Sequence, residues 1–412
     1  MPPIVAAMLI VLLEALAFGT ALPTLNLFVA KLGGGPLWAG VLFALVSGPK
    51  VIFNPLFGRA ADRLGRRPLL LICTLGTLAS SIGWALAPGI WWLAAARLVN
   101  GIFGAQAGLA QAIAADVSTP QRRAGAVGLL GASFGIALAF GPLIGGRVAE
   151  KFGYSAVGWV CAAMQAASLL IIVTTLRETL PAHVAAKAAS KTPDAEAAEI
   201  EAGHATVIGA VQSPLLTRAE IVILLVVTLL VTIGQSEISS TLGDVAKRLY
   251  GFGPRETGDL FALFGIVMVV VQGGIVRHVV QRFGELLVSL AGLAILAFGF
   301  AWVATEPAIL GMRFALGLVG LGSALSSPAI TALLSHAVRP TQQGEVMGLN
   351  QATLGIGRAA GNLTGGYLFE RHGTPLTYLV AAGTTLASLA IQITQHRRLS
   401  QVRPRTIAQK SA

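Results

Sequence analysis

Long runs of apolar residues alternate with short polar connections along almost the whole chain. A helix that crosses a bilayer needs about 20 mainly apolar residues, because the hydrocarbon core is about 30 Å thick. By this criterion the sequence predicts twelve spans, at residues 4–30, 37–57, 68–87, 90–114, 124–147, 154–176, 219–243, 257–276, 285–303, 307–333, 344–368 and 375–395. The expected fold class is therefore an all-α polytopic membrane protein with twelve transmembrane helices.

One long connection divides the predicted spans into two sets of six. Residues 177–218 contain Pro181, Pro193 and Pro214 and an acidic cluster at 194–201. We interpret this stretch as a cytoplasmic linker with a short surface helix around Ala195–Ala202. The predicted organisation is an N-terminal six-helix half at 1–176, the linker at 177–218, a C-terminal six-helix half at 219–395, and a basic cytoplasmic tail at 396–412.

The two halves repeat each other in sequence. Arg97 opens an Arg-x-x-x-Gly-x-x-Gly pattern that recurs from Arg313. At a constant offset, glycines in and just after the fifth span match glycines in and just after the eleventh: Gly135 with Gly355, Gly141 with Gly361, Gly145–Gly146 with Gly365–Gly366, and Gly153 with Gly373. Parallel repeats with an even number of spans predict a pseudo-two-fold axis along the membrane normal, with a binding site between the halves near the midplane.

Composition supports a membrane protein and narrows its partners. The chain is 55% hydrophobic and 11% charged, whereas soluble domains carry about a quarter charged residues. Cys73 and Cys161 lie inside predicted spans, so neither a disulfide framework nor a zinc site is implied. The net charge of +11 is interpreted as anchoring charge that faces anionic lipid, rather than a nucleic-acid surface. We expect no cofactor, no metal and no nucleic-acid partner.

The distribution of basic residues predicts the orientation. Loops on the side of Arg59–Arg67, together with the tail, hold eighteen Lys and Arg residues, and the other side holds seven. The positive-inside rule then places both termini in the cytoplasm. Four basic residues fall inside spans: Lys50, Arg97, Arg313 and Arg358.

The connection between the second and third spans carries a recognisable motif. Its sequence, from Gly58, is Gly-Arg-Ala-Ala-Asp-Arg-Leu-Gly-Arg-Arg. This pattern resembles the Gly-x-x-x-Asp-Arg-x-Gly-Arg-Arg signature of the major facilitator superfamily, matched here by Gly58, Asp62, Arg63, Gly65, Arg66 and Arg67. The resemblance implies a gate on the cytoplasmic side, in which Asp62 faces the end of the eleventh helix when the protein faces outward. In the second half Arg277 and Gln281 stand where Gly58 and Asp62 would fall.

Two carboxylates lie inside spans that begin the two halves. Burying a charge in hydrocarbon costs at least ~2.5–3.5 kcal/mol on the insertion scale, so Glu14 and Glu237 need a reason to be there. A carboxyl group in a low-dielectric cavity can exchange protons near working pH, which suits a proton carrier. The structural alternative is a buried pair with a basic neighbour.

Cations inside the spans supply further candidates for proton or substrate coupling. Arg97 resembles the buried arginine of the family's fourth helix; since a guanidinium keeps its proton, it would tune a carboxylate or hold an anion. The alternative is that Arg97 only locks packing. Lys50 either lines the cavity or extends to the cytoplasmic surface. Arg313 and Arg358 are weaker candidates.

The fifth span is rich in glycine. Glycines spaced four residues apart allow two helices to approach closely, and a proline bends the span. The pattern also resembles the fifth-helix motif of drug/proton antiporters, matched by Gly131, Gly135, Gly141, Pro142, Gly145 and Gly146. The first half is similar to the tetracycline-exporter branch, but Ser80 and Ser81 stand where that branch has an acidic residue. This difference argues against tetracycline itself as the substrate.

These features lead to an expected function. The resemblance implies a proton-coupled antiporter of the bacterial inner membrane, monomeric, that exports a small organic molecule by alternating access, with protons as the coupling ion. A first alternative is an importer, or a dedicated exporter, of one anionic or zwitterionic metabolite, because cations outnumber carboxylates inside the spans. A second is a membrane sensor that does not transport. No arrangement of nucleophile and base favours an enzyme.

Overall fold

The computed structural model describes residues 3–117, 123–178, 215, 218–339 and 342–399. The regular elements in these ranges are helical: α1 (Pro3–Lys31), α2 (Pro36–Leu64), α3 (Arg66–Ala85), α4 (Ile90–Phe103), α5 (Gln106–Asp116), α6 (Arg123–Phe152), α7 (Tyr154–Thr174), α8 (Ala219–Tyr250), α9 (Pro254–Val270), a π-helical turn (Val271–Ile275), α10 (Val276–Phe283), α11 (Glu285–Ala304), α12 (Ile309–His336), α13 (Gln343–Thr394) and α14 (His396–Leu399). The predicted surface helix at 195–202, most of the linker and most of the basic tail lie outside the described residues.

These helices agree with the predicted spans, with two differences in continuity. Within the described ranges, nine helices are long and apolar enough to cross a membrane. The longest, α13, is two helices joined at Gly373, so it holds the predicted eleventh and twelfth spans. The predicted fourth span is broken at Gly104–Ala105 into α4 and α5. If α13 is counted as two spans, and the broken α4–α5 segment and α6 are each added as one, the described helices are consistent with twelve spans.

The sequence repeat is visible in the backbone. Gly153 and Gly373, which match at the repeat offset, both have positive φ, 84° and 75°. Residues with a Cβ pay a steric penalty in this region, so glycine is the residue that permits the tight reversal between two helices. Gly65 and Gly284 form a second matched pair, with φ of 102° and 80°.

Glycines also set the closest helix–helix contacts within each set. In the first set, a Cβ on Gly141 would lie 2.8 Å from Cα of Gly19, and a Cβ on Gly145 would overlap the Thr20 carbonyl oxygen. In the second set, a Cβ on Gly365 would lie 3.0 Å from Cα of Glu237. Small residues therefore let α6 pack along α1, and α13 along α8, at backbone distance.

The two sets contact each other at one end of the molecule, which we name the opposite end because it lies away from the Gly65 loop. A Cβ on Gly146 of α6 would lie 2.5 Å from the Pro254 carbonyl oxygen of α9. A Cβ on Gly366, the matching glycine of α13, would lie 2.6 Å from the Pro36 carbonyl oxygen of α2. In each set, a glycine thus packs against the first turn of a helix from the other set.

Polar contacts reinforce this closure. Arg147 Nη1 lies 3.2 Å from Asp259 Oδ1, and Arg255 Nη1 lies 4.0 Å from Glu150 Oε2. Toward the Gly65 end, which we name the basic end, open space replaces contact: added Cβ atoms at Gly58, Gly131, Gly273, Gly344 and Gly348 would meet nothing within 4 Å. The interface between the sets is closed at the opposite end and opens toward the basic end.

Candidate functional site

A cluster of charged side chains lies between the two sets of helices. Lys50 of α2 interacts electrostatically with Glu14 of α1, Arg358 of α13 and Arg97 of α4. The structure therefore brings together four of the six charged residues singled out in the spans. Because Arg358 comes from the second set and the other three come from the first, this cluster bridges the interface.

Lys50 is positioned by the break between α4 and α5. A Cβ on Gly104 would overlap Lys50 Cε and lie 2.8 Å from Lys50 Nζ. One turn earlier, a Cβ on Gly101 would lie 3.0 Å from the Val46 carbonyl oxygen. The absence of side chains at these two positions lets α2 press into the break, so Lys50 lies among the cluster residues rather than at the membrane surface.

Arg97 is the most buried cation of the cluster, with 7% of its surface exposed. Its guanidinium lies over the Trp84 ring, 4.4 Å from the centroid, a contact that favours a cation. Its Nε has no hydrogen-bond partner within the described part of the chain. Arg97 is thus held by an aromatic face and keeps a free donor.

The remaining two members of the cluster are reachable from the space between the sets. Glu14 is partly exposed and Arg358 is exposed. One carboxylate and three cations give the cluster an excess of positive charge, and a cavity lined by one sign of charge attracts groups of the other sign. This arrangement can bind a carboxylate or phosphate group of a small molecule and still present Glu14 to a proton or an amine.

Glu237 does not join this cluster. Its side chain has no exposed surface, and neither carboxylate oxygen has a hydrogen-bond partner among the described residues. The Thr364 hydroxyl is close enough to interact, but that hydroxyl donates to Ala360 and Gly361 carbonyl oxygens. Arg313, in the first turns of α12, is exposed and also lies outside the cluster.

The loop motif forms a three-residue ionic network at the basic end. Arg66 Nη1 lies 2.6 Å from Asp62 Oδ1, and Arg66 Nε lies 3.2 Å from Asp116 Oδ2 at the end of α5. The Arg66 side chain is 13% exposed and that of Asp62 is 54% exposed. Asp62 therefore faces solvent in this conformation.

A carboxylate that sequence reasoning missed completes this network. Glu178 accepts hydrogen bonds from the backbone N–H groups of Arg66 and Arg67, at 2.9 and 3.1 Å. A carboxylate is favoured at the N-terminus of a helix, here α3. Arg67 in turn donates to the Val173 carbonyl oxygen at the end of α7. The only signal in the sequence was an acidic residue directly after the sixth span, which says nothing about its partner.

The fifth-span glycines line the joint between α1 and the second set. Gly141 and Gly145 face α1, whereas Gly146 faces α9 and Gly135 lies near Val269. A Cβ on Gly258 of α9 would lie 2.5 Å from the Pro142 carbonyl oxygen. Gly131 faces open space. Close packing accounts for the glycines nearest the opposite end, where α6 contacts both α1 and α9.

The architecture and the charged interface define a class, the polytopic membrane transporters built from two similar helical sets. Among solved structures, the chain is similar to the human organic anion transporter MFSD10, with a TM-score of 0.73 at 22% identity, covering 95% of this chain and 99% of the other. It is also similar to a D-xylose–proton symporter, with a TM-score of 0.74 at 18% identity, covering 94% and 96%. At these identities the likeness concerns the fold.

Sequence relatives and a family model give the family. The class B tetracycline resistance protein of Escherichia coli is 28% identical over 348 residues, which cover 83% of this chain and 82% of that protein. Human major facilitator superfamily domain-containing protein 10 is 25% identical over 369 residues, 87% of this chain and 79% of the other. The Major Facilitator Superfamily model matches residues 7–308 and 224–407. The chain belongs to the major facilitator superfamily and is a transporter, not an enzyme.

Proposed function

We propose that this transporter is a proton-coupled antiporter that exports a small organic molecule by alternating access, with Glu14 as the group that binds proton and substrate in turn. The observation that carries the proposal is that Glu14 lies close enough to Lys50 for electrostatic attraction, inside a cluster shared by both sets. Protonation of Glu14 removes its attraction for Lys50 and raises the net positive charge of the cluster, so that the repulsion between Lys50 and Arg358 of the other set is less compensated. A ligand shifts an equilibrium between two conformations only through its different affinity for the two states.

The charge balance of the cluster supports a zwitterionic substrate for antiport. The amine of a zwitterion would compete with the proton for Glu14, and its anionic group would lie against Lys50 and Arg358. Because the proton and the substrate amine compete for one carboxylate, they cannot be bound to it at the same time, and antiport requires this mutually exclusive binding. Each proton that enters contributes ~2.3 kcal/mol per 100 mV, and ~1.4 kcal/mol per unit of pH difference.

A second candidate function follows from the same excess of positive charge. A purely anionic substrate would neutralise Lys50 and Arg358 and leave Glu14 without its partner, so that Glu14 would take up a proton together with the substrate. That coupling moves proton and substrate in the same direction and describes an importer of an organic anion. The sign of the proton flux therefore distinguishes the two functions.

The sidedness of the proposal rests on the distribution of basic loops. With the basic end in the cytoplasm of a bacterial inner membrane, the described conformation faces inward, and both termini are cytoplasmic. The transporter would be a monomer, and its two halves, residues 1–176 and 219–395, would rotate relative to each other about the charged cluster. Asp62, Arg66 and Asp116 would then close the basic end when the opposite end opens.

The test uses everted membrane vesicles that contain the full chain and a pH-sensitive dye. After energisation, a panel of zwitterionic antibiotics, cationic dyes and organic anions is added. Proton release on addition of a zwitterion, absent in Glu14→Gln, is the expected result. Glu220→Gln, the same change at the first turn of α8 and outside the cluster, serves as the control. Proton uptake with an anion would favour the second function, and silence across the panel with folded protein would reject both.

A further inference from the structure

A stripe of polar groups runs along one face of α8 from the core to the opposite end. Glu237, Thr241 and Asp244 are spaced by four and three residues, which places them on the same side of a helix. Glu237 and Thr241 are fully buried and Asp244 is partly exposed. Beyond them, Lys247 and Arg248 are exposed. The stripe thus links a carboxylate in the protein interior with the solution at the opposite end.

Tyr378 of α13 contacts this stripe at Thr241, between the two carboxylates. Its hydroxyl lies 3.0 Å from Thr241 Oγ1, and Thr241 donates its own proton to the Glu237 carbonyl oxygen at 2.7 Å. The tyrosine is therefore the donor in the Thr241 contact. Its ring is fully buried, and its hydroxyl interacts electrostatically with both Glu237 and Asp244. It is an ionisable hydroxyl placed between two acids.

Asp244 is held by the other set of helices. Asn26 of α1 donates through Nδ2 to Asp244 Oδ2 at 2.8 Å and to the Ser240 carbonyl oxygen at 2.6 Å. Gly243 gives Asn26 the room to do so, since a Cβ there would lie 3.0 Å from Asn26 Cβ. Lys247 interacts electrostatically with Asp244 from the same helix. Opening of the opposite end must separate α1 from α8 and so remove Asn26 from Asp244.

We infer that Asp244 is a proton-exchange residue for Glu237, blocked by Asn26 while the opposite end is closed and accessible when it opens. A proton taken up by the Asp244 carboxylate passes to the oxygen of Tyr378, whose own proton moves to the Thr241 hydroxyl. Thr241, which donates to the Glu237 backbone carbonyl in the closed state, must turn its O–H toward the Glu237 carboxylate to complete the transfer. Each hydroxyl gains one proton and releases one, so none is created or lost. The inference rests on the proposed proton coupling and assigns the route by which the buried carboxylate exchanges protons with that side.

The experiment measures proton binding without substrate. The full-length protein is reconstituted in liposomes on a solid-supported membrane, and a pH jump on the outside produces a transient current when buried groups take up protons. We expect a smaller transient in Glu237→Gln, which keeps only the charge taken up by Glu14, and a several-fold slower Glu237 component in Asp244→Asn, which keeps an acceptor oxygen for Asn26. Asp244→Glu should restore the rate. Tyr378→Phe should slow it as well, and it carries the test if Asp244→Asn does not fold.

A matched control lies one residue before the tyrosine. Thr377→Val removes a fully buried hydroxyl that donates to the Gly373 carbonyl oxygen outside the stripe, and it should leave the transient unchanged. Transients of equal rate in wild type, Asp244→Asn and Tyr378→Phe would overturn the inference and leave the proposed antiport intact. Absence of any transient in folded wild-type protein would instead reject the proton coupling on which the inference rests.

Discussion

The first helices of the two sets, α1 and α8, each carry a carboxylate inside a span, at different depths. Thr20 packs against Gly145 in the first set, and Glu237 packs against the matching glycine, Gly365, in the second set. Glu237 therefore occupies the position in α8 that Thr20 occupies in α1. Glu14 is six residues earlier, or about 9 Å nearer the basic end along a helix. Glu14 faces the cluster shared by both sets, whereas Glu237 is enclosed within its own set. A repeated scaffold can therefore place a carboxylate for substrate exchange in one half and a carboxylate for protons alone in the other.

The largest expected effect separates these two roles. Glu14→Gln should abolish substrate-driven proton release and weaken binding of a zwitterion at least tenfold, about 1.4 kcal/mol. Glu237→Gln should abolish the proton flux and leave binding within twofold, because Glu237 does not reach the cluster. Substrate titration of the purified variants by tryptophan fluorescence checks both. Equal loss of binding in the two variants would remove the distinction drawn between the two carboxylates.

Packing of the repeated glycines should give the next largest effect. Gly145→Ala places a Cβ on the Thr20 carbonyl oxygen and Gly365→Ala places one against Glu237. Overpacking of this kind costs about 1–3 kcal/mol. We expect both variants to lower the unfolding temperature in detergent. Gly131→Ala, which meets open space, should leave that temperature unchanged or raise it slightly, and a fall equal to that of the other two would contradict the packing explanation.

Substitutions in the corresponding loop regions of the two halves should change the transport rate to different extents. Asp116→Asn weakens the ionic contact with Arg66 and should slow transport several-fold, since the gate at the basic end would close less firmly. Gln281→Ala, at the corresponding connection of the second set, should not change the rate. Initial transport rates in vesicles provide the measurement. If the two changes slow transport equally, the two networks are equivalent in function and the asymmetry is wrong.

The exposed ion pairs at the opposite end should matter least. The Arg147 and Asp259 side chains are 50% and 46% exposed, and exposed pairs contribute about 0–1 kcal/mol. Asp259→Asn should therefore increase opening of this end by no more than about fivefold, the ratio that 1 kcal/mol gives. The rate of maleimide labelling of Asn26→Cys, compared with and without Asp259→Asn, reports the opening, since position 26 is buried against the other set and both native cysteines are buried. The effect should shrink further at high salt, because screening weakens exposed pairs.

Local features of the sequence were sufficient for the fold and the family. The spans follow from runs of apolar residues, and the turns at Gly153 and Gly373 follow from a residue type that tolerates positive φ. The motif from Gly58 to Arg67 pointed to the family that the comparisons then gave. Glu14 and Arg97 were found as candidates because a charge inside an apolar run is conspicuous without knowledge of its neighbours.

The partners of these charges could not be read from the sequence. Lys50 and Arg358 were each ambiguous alone. Only the break at Gly104 brings Lys50 toward Glu14, and only the approach of α13 brings Arg358 toward Lys50. Asp244 lies near the end of its helix, where a charge is unremarkable by sequence; its importance comes from Asn26, 218 residues away. The sequence did not show that Asp116 or Glu178 would contact Arg66, because these contacts join residues that are 50 and 112 positions apart in the chain.

The sequence by itself determined that the chain crosses a membrane repeatedly, that its halves repeat, and which charges lie in the bilayer, because hydrophobicity, glycine conformation and motif spacing are local properties. The tertiary structure alone decided which charges meet, at what depth each carboxylate lies, and which end of the interface is closed. Those outcomes depend on contacts between helices far apart in the chain, where a carbonyl oxygen beside a glycine or one amide from another helix sets the geometry.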